Sequence, residues 1–339
     1  MELTKEKRKQ RGDLLDVAEI AELRSGNGAL GWIARQTRPD VAFYTSKIAQ
    51  AMGMPRIKDV LLYNKAVQLL KESRDEKLYF VAGIDYDSAE IVGFSDAAFA
   101  NVDDAKLGAD VRSQCGNCVA LAAPGLSEGS VASHVLMWES SSAKRVVRST
   151  LAAEAYAASE TAEALSWIKA LYKEIDTGHF DSDEGRPSHL LTDARSLVDA
   201  VMSDVGRTRD RRLRIVLAAL REAIDEEQVG LQWVDTLVQL ADVLTKDGVE
   251  REQMHAAMRG AIDVSAPDEA YARKEAARVS RAARAELRRE ARNSARVRAA
   301  AECRVRHEGE SRRSPYRSPR RTYGSRGEKG NGAALVRPI

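Results

Sequence analysis

The stretch EIVGFSDAAFAN (residues 90–101) sets an apolar run against a single carboxylate, Asp96, among small and aromatic neighbours. A short apolar run of this length, bounded by polar turns, reads as a buried strand. Three more acidic residues share that setting. Glu154 lies in STLAAEAYA (149–157), one turn into a long helix that begins near Ser149. Asp193 closes the short strand HLLTD (189–193), and Asp242 lies in LADVLTK (240–246), early in a last helix starting near Leu237. Each ends a strand or opens a helix.

Around these segments the hydrophobic period alternates between strand and helix. LYFVAGI (78–84), EIVGFS (90–95), CVALAA (118–123) and SHVLMWE (133–139) read as strands, and HLLTD and GLQWVD (230–235) as two more. Helices are expected from Ser149, from Ala194 and over about 210–227. Strands followed by mixed helix and strand give an α/β or α+β layer architecture with a mixed sheet covered by helices. Upstream, residues 29–51 and 57–71 read as two helices, the first broken near Pro39 and preceded by a turn at SGNG (25–28).

Four carboxylates gathered at one place would repel one another, and such sets persist where a cation offsets the repulsion. Carboxylate oxygens suit hard cations such as Mg²⁺. Two such ions about 4 Å apart can activate a water and stabilise a leaving oxygen in phosphodiester hydrolysis. Plainer readings stand beside this one. Asp193 can cap the helix that follows it, and Asp242 can be a first-turn carboxylate favoured by the helix dipole. Spacing alone leaves both open.

Composition narrows the class. Apolar residues make up 44% of the 339, and three cysteines do not make a disulfide framework, so a reducing compartment, cytosol or nucleus, is expected. No apolar run is long enough for a membrane span, and the N-terminal MELTKEKRKQRGD lacks the apolar core of a secretory signal. The net charge of +2 conceals an asymmetry: residues 271–339 carry +13 and residues 1–270 carry −11. A basic tail of this kind, Ala/Arg-rich and then Ser/Arg-rich, is expected to be partly helical and then disordered, and it suits RNA or DNA phosphates.

The four acidic segments, in their order, resemble those of the ribonuclease H domain of copia-type LTR retrotransposon polyproteins. GFSDAAFAN is similar to that family's segment with the first metal-binding aspartate, and STLAAEAYA to its acidic helix. LLTDARS and QLADVLTK (239–246) are similar to the segments bearing its last two carboxylates. LGWIARQTRPDVAF (30–43), with its Thr-Arg-Pro-Asp run, is similar to the end of the family's reverse transcriptase region. The resemblance covers about residues 27–247. It implies a ribonuclease H-like α/β fold, a five-stranded mixed sheet flanked by helices. It implies that Asp96, Glu154, Asp193 and Asp242 hold two Mg²⁺ or Mn²⁺ ions, and that the substrate is an RNA–DNA hybrid. Four parts follow: a charged leader (1–26), a helical reverse transcriptase remnant (27–75), the ribonuclease H-like domain (76–247), and a basic helix with a disordered tail (248–339).

Three departures accompany the resemblance. Ala152 stands where the family usually has an acidic residue. Arg212 stands where many members have histidine, and no histidine lies between Asp193 and Asp242. Arg207, Arg211, Arg212 and Arg214 form a basic segment suited to phosphate contacts; a solvated face fits the same pattern. Cys115 and Cys118 form a C-x-x-C, but no second ligand pair accompanies them, so free thiols are expected. NVDD (101–104) reads as a loop between strands, and no polymerase activity is expected of these residues as they stand, with no room for fingers and palm before residue 27. The alternative is a non-catalytic nucleic-acid-binding remnant acting through its tail.

Overall fold

The computed structural model describes residues 1–100, 112–179, 186–203, 209–226 and 229–265. Residues Met1–Ala270 form one compact unit; the second unit, 271–339, lies outside the described residues, as does NVDD.

The N-terminal part is helical: α1 (Lys5–Lys9), α2 (Val17–Gln36), a 3₁₀ turn (Pro39–Val41), α3 (Ala42–Ala51) and α4 (Ile57–Glu72). The turn expected at SGNG does not form, because α2 runs through it. Its start is fixed by a capping box. Asp16 accepts the Glu19 N–H at 2.9 Å and Glu19 accepts the Asp16 N–H at 3.1 Å. Gly26 then serves packing rather than turning. A Cβ there would lie 2.6 Å from the Tyr63 hydroxyl of α4. Each helical glycine costs about 1 kcal/mol relative to alanine, which this close approach offsets.

Strands β1 (Glu90–Ala98), β2 (Gln114–Ala122) and β3 (Val131–Ser142) form an antiparallel meander. Helix α5 (Thr150–Thr177) follows. It is capped by Ser149, which accepts the Ala152 N–H, and closed by Gly178 in the left-handed region (φ 76°). Then come β4 (Ser188–Thr192), α6 (Arg195–Met202), α7 (Arg211–Asp225) and β5 (Val229–Trp233). Both late strands run parallel to β1, giving the order β5-β4-β1-β2-β3, extended at its edge by β6 (Ala261–Ile262). The expected mixed sheet flanked by helices is present, with six strands.

Two local readings are corrected. LYFVAGI is not a strand. It runs as coil, with single bonds from the Tyr79 N–H to the Met258 carbonyl (2.8 Å) and between the Val81 carbonyl and His134 (2.9 Å). The β3 edge it would pair with is taken by β6. The last helix near Leu237 is instead two 3₁₀ turns, Thr236–Val238 and Leu240–Leu244.

Cover on both faces buries β1 and β2 along nearly their whole length. One face packs Ile91, Val119, Leu121, Leu190 and Leu231 against α5 and α7. The other packs Val92, Phe94, Cys118, Ala120 and Leu191 against Leu30, Ala34, Phe43 and Tyr44 of the N-terminal helices. Leu240, Val243 and Leu244 join that second core. So do Met254, Ala257 and Met258 of α8 (Glu252–Met258) and Ile262 of β6, so the folded body extends past residue 247. The N-terminal helices and the sheet therefore share one core.

A polar clamp closes the same interface. Arg38 pairs bidentately with Asp40 (2.8 and 2.7 Å) and donates to the Ser73 carbonyl at 3.1 Å. His255 of α8 lies 3.2 Å from Asp40, and Arg251 donates to the Asp40 carbonyl and, at 2.7 Å, to the Tyr44 hydroxyl. Asp40 is fully buried. Burial would raise its pKa, but the bonds from Arg38 and His255 outweigh it and hold the carboxyl at about 2. The Thr-Arg-Pro-Asp run is thus a structural joint. Among the described residues no helix is long and apolar enough to cross a membrane.

Candidate metal centre

Strand register brings Asp96 and Asp193 together. Ser95 of β1 lies beside Thr192 of β4 in the parallel pair, so Asp96 is level with Asp193, just past the end of β4. The carboxyl ends of adjacent parallel strands are the usual place for a site in such a sheet. Glu154 arrives on α5, which covers one face. Asp242 arrives on the Leu240–Leu244 turn, which covers the other. Oxygens of Asp96, Asp193 and Asp242 all lie within 4.8 Å of one another.

Two glycines let the covering elements come close enough. At Gly93 a Cβ would lie 2.8 Å from Thr161 and 3.1 Å from Leu165 of α5. At Gly116, paired with Asp96 across β1 and β2, a Cβ would meet Leu244 at 2.7 Å, Thr245 at 2.8 Å and the Ala241 carbonyl at 3.1 Å. Gly116 is the glycine of the C-x-x-C segment. Its flanking cysteines are buried on opposite faces, Cys115 with Ala97 and Ala153, Cys118 with Phe94. Burial raises both thiols to about 12. Gly116→Ala is expected to cost roughly 1–3 kcal/mol by overpacking and to displace the Asp242 turn. Gly31→Ala, in open space on α2, is expected to stabilise by up to about 1 kcal/mol. Urea unfolding of the two variants side by side checks the pair.

The carboxylates are held by side chains that sequence reasoning did not single out. Asp193 accepts from the Thr236 hydroxyl at 2.7 Å, and its carbonyl accepts the Trp233 indole N–H at 3.0 Å. The Arg195 guanidinium sits 4.3 Å over that indole ring. Asp193 does not cap the helix after it. The N-cap position is Ala194, with no side-chain cap bond. Buried Gln239 ties the two sides together, donating to the Ser95 carbonyl at 3.1 Å and accepting the Ala241 N–H at 3.2 Å. Asp96 accepts from the Thr245 hydroxyl. Lys246 Nζ lies 2.6 Å from Asp242 and 3.2 Å from Asp96. One signal for Lys246 was available: it stands four residues after Asp242, within reach on a helical turn.

Electrostatically the site is strained toward protonation. Burial first, then the charges of Asp96 and Asp193, push Glu154 up to about 9. Glu154 accepts the Ala97 N–H, yet its Oε2 is buried with no hydrogen-bond partner. Burial likewise raises Asp193 and, with Asp96 beside it, Asp242. An all-oxygen set of clustered carboxylates, one with a bare buried oxygen, fits a hard divalent cation.

The predicted arginines stand elsewhere. Arg211, Arg212 and Arg214 are exposed on α7, whose Leu213, Leu217 and Leu220 pack inward. Arg211 and Arg214 lie about 60° apart on one side of the helix, and Arg212 lies about 100° from Arg211 and about 160° from Arg214. Arg207 lies outside the described residues.

No family model matches the chain. Among solved structures it is similar to the N-terminal RNase H domain of rv2228c from Mycobacterium tuberculosis. That likeness has 17% identity and a TM-score of 0.28, over 51% of this chain and 98% of that one. It is also similar to RNase H1 of Halobacterium salinarum, with 16% identity and a TM-score of 0.27 over 49% and 97%. Among curated proteins it is 25% identical over 230 residues to the retrovirus-related Pol polyprotein of Arabidopsis thaliana transposon RE1. It is 25% identical over 225 residues to that of transposon RE2. These matches take in 68% and 66% of this chain and 14% of each polyprotein. The relatives of this chain are thus retrovirus-related Pol polyproteins of transposons, of whose length it spans about a seventh.

Proposed function

We propose that the chain is a ribonuclease H-type endonuclease of a retrotransposon polyprotein, cutting the RNA strand of an RNA–DNA hybrid with divalent metal. The observation that carries this reading is the convergence of Asp96, Asp193 and Asp242 within 4.8 Å, beside Glu154 with its bare buried oxygen. Homology to Pol polyproteins supports it.

Asp96, Glu154, Asp193 and Asp242 would hold Mg²⁺ or Mn²⁺, two ions in the full reading. Bound there, the metal supplies Lewis-acid activation of a water and of a phosphodiester oxygen. The chain's own residues supply the positioning. Thr236 and Trp233 fix Asp193, Thr245 fixes Asp96, and Gln239 sets the Asp242 turn against β1. Exposed Arg211, Arg212 and Arg214, together with Arg207, would contact phosphates.

The test is cleavage of a hybrid labelled on either strand, beside double-stranded RNA and double-stranded DNA, with Mg²⁺, with Mn²⁺ and with a chelator. Cuts confined to the RNA strand of the hybrid, and lost with the chelator, are expected. Cleavage that survives the chelator, or none by a folded preparation, sinks the proposal.

A further inference from the structure

One polar group in the site is not accounted for by the ligand set: the Lys246 ammonium. It approaches both oxygens of Asp96 at 3.2 Å and Asp242 at 2.6 Å. It is not a surface lysine that has swung in by chance. Its backbone N–H donates to the Asp242 carbonyl at 3.1 Å, which locks the residue against the turn. The next residue, Asp247, is gripped by the Tyr44 hydroxyl and by Lys65, both at 2.6 Å. The stem of Lys246 is thus fixed from both sides, and its side chain is only 35% exposed.

The charge count is then restrictive. Four ionised carboxylates and one ammonium leave three negative charges. One divalent cation leaves the site at −1 and a second at +1, whereas without the ammonium two divalent cations would just neutralise the four carboxylates. A second, independent observation points to a ligand on the Glu154 side. The oxygen without a partner belongs to Glu154, whereas Asp96 and Asp242 are the carboxylates that Lys246 engages.

We propose that Lys246 sets the number of metal ions. It covers the shared face of Asp96 and Asp242, so the free protein holds one divalent ion, and a second enters only by displacing the ammonium. A phosphate-bearing substrate, which brings further negative charge, is the agent that makes room for it. This inference rests on the metal reading above and concerns residues of the same site.

Mn²⁺ binding, followed by electron paramagnetic resonance on the full chain without nucleic acid, tests it. The wild type is expected to bind one Mn²⁺. Lys246→Met is expected to bind two, the first at least about tenfold more tightly, because a positive charge about 3 Å from the ligand oxygens has been removed. Lys246→Arg keeps the charge and is expected to stay at one. Circular dichroism establishes that each variant is folded, and Lys246→Gln serves if the methionine variant is not. Equal stoichiometry and affinity in wild type and Lys246→Met would overturn the inference and leave the metal reading standing. So would two ions in the wild type. Failure of every folded form to bind Mn²⁺ overturns the metal reading itself.

Discussion

Asp96→Asn is expected to remove metal-dependent cleavage of the hybrid while leaving the protein folded. Asp96 is the meeting point of the site. It lies level with Asp193 across the parallel pair, faces the Asp242 turn over Gly116, and takes bonds from Thr245 and Lys246. Loss of its charge removes a ligand shared by the cluster. Several kcal/mol of transition-state stabilisation depend on such a ligand, so a loss of about a thousandfold or more follows. The amide keeps the shape and can still bond Thr245, so the melting temperature should move little. The reading would be wrong if Asp96→Asn kept a tenth or more of the wild-type rate.

Asp40→Ala is expected to have the largest effect on stability, about 3–5 kcal/mol, measured by urea unfolding. Asp40 is fully buried and paired bidentately with Arg38, itself 5% exposed. Removing one partner leaves the other charge uncompensated in the interior. The bonds to Asp40 that hold its pKa near 2 also mean that its contribution persists down to low pH. A depressed carboxylate loses its stabilising effect only as pH falls through the folded pKa. A double change of Arg38 and Asp40 to apolar residues should recover part of the loss, since no lone charge remains.

Glu154 has the opposite sign. Glu154 titrates near 9 in the folded chain against about 4.5 in the unfolded chain. The folded state therefore holds the extra proton between those values, and metal-free stability declines as pH rises from about 4.5 to about 9. Glu154→Gln, which mimics the protonated form, should flatten that decline. Thermal melts in a chelator at pH 5, 7 and 9 check it. A wild-type melting temperature that rises over this range would count against the assignment.

Much of this was legible in the residues, and the gaps have physical causes. The central strands β1, β2 and β4 showed because both of their faces are covered, and β3 and β5, partly exposed, showed through their apolar residues alone. Asp96 and Asp193 showed because they lie near the ends of β1 and β4, and Glu154 because it lies early in α5, whereas Asp242 sits within a 3₁₀ turn and not in the first turn of an α-helix. LYFVAGI misled because an apolar run alone does not reveal that β6 takes the neighbouring edge. SGNG misled because glycine permits a turn but equally permits close packing, here against Tyr63. The capping box at Asp16 and Glu19 was in the sequence and outweighs that local signal. Gln239, Thr236 and Trp233 were invisible because their roles depend on partners 40 or more residues away.

The shared core between the N-terminal helices and the sheet bears on how such a protein can be dissected. A recombinant piece beginning at residue 76 would keep all four carboxylates yet strip the cover from Val92, Phe94, Cys118, Ala120 and Leu191. An apolar patch of that kind on a sheet invites self-association. It would also sever Asp247 from Tyr44 and Lys65, loosening the chain that carries Asp242 and Lys246. The smallest soluble piece of this fold is therefore set by the Thr-Arg-Pro-Asp joint and not by the first strand.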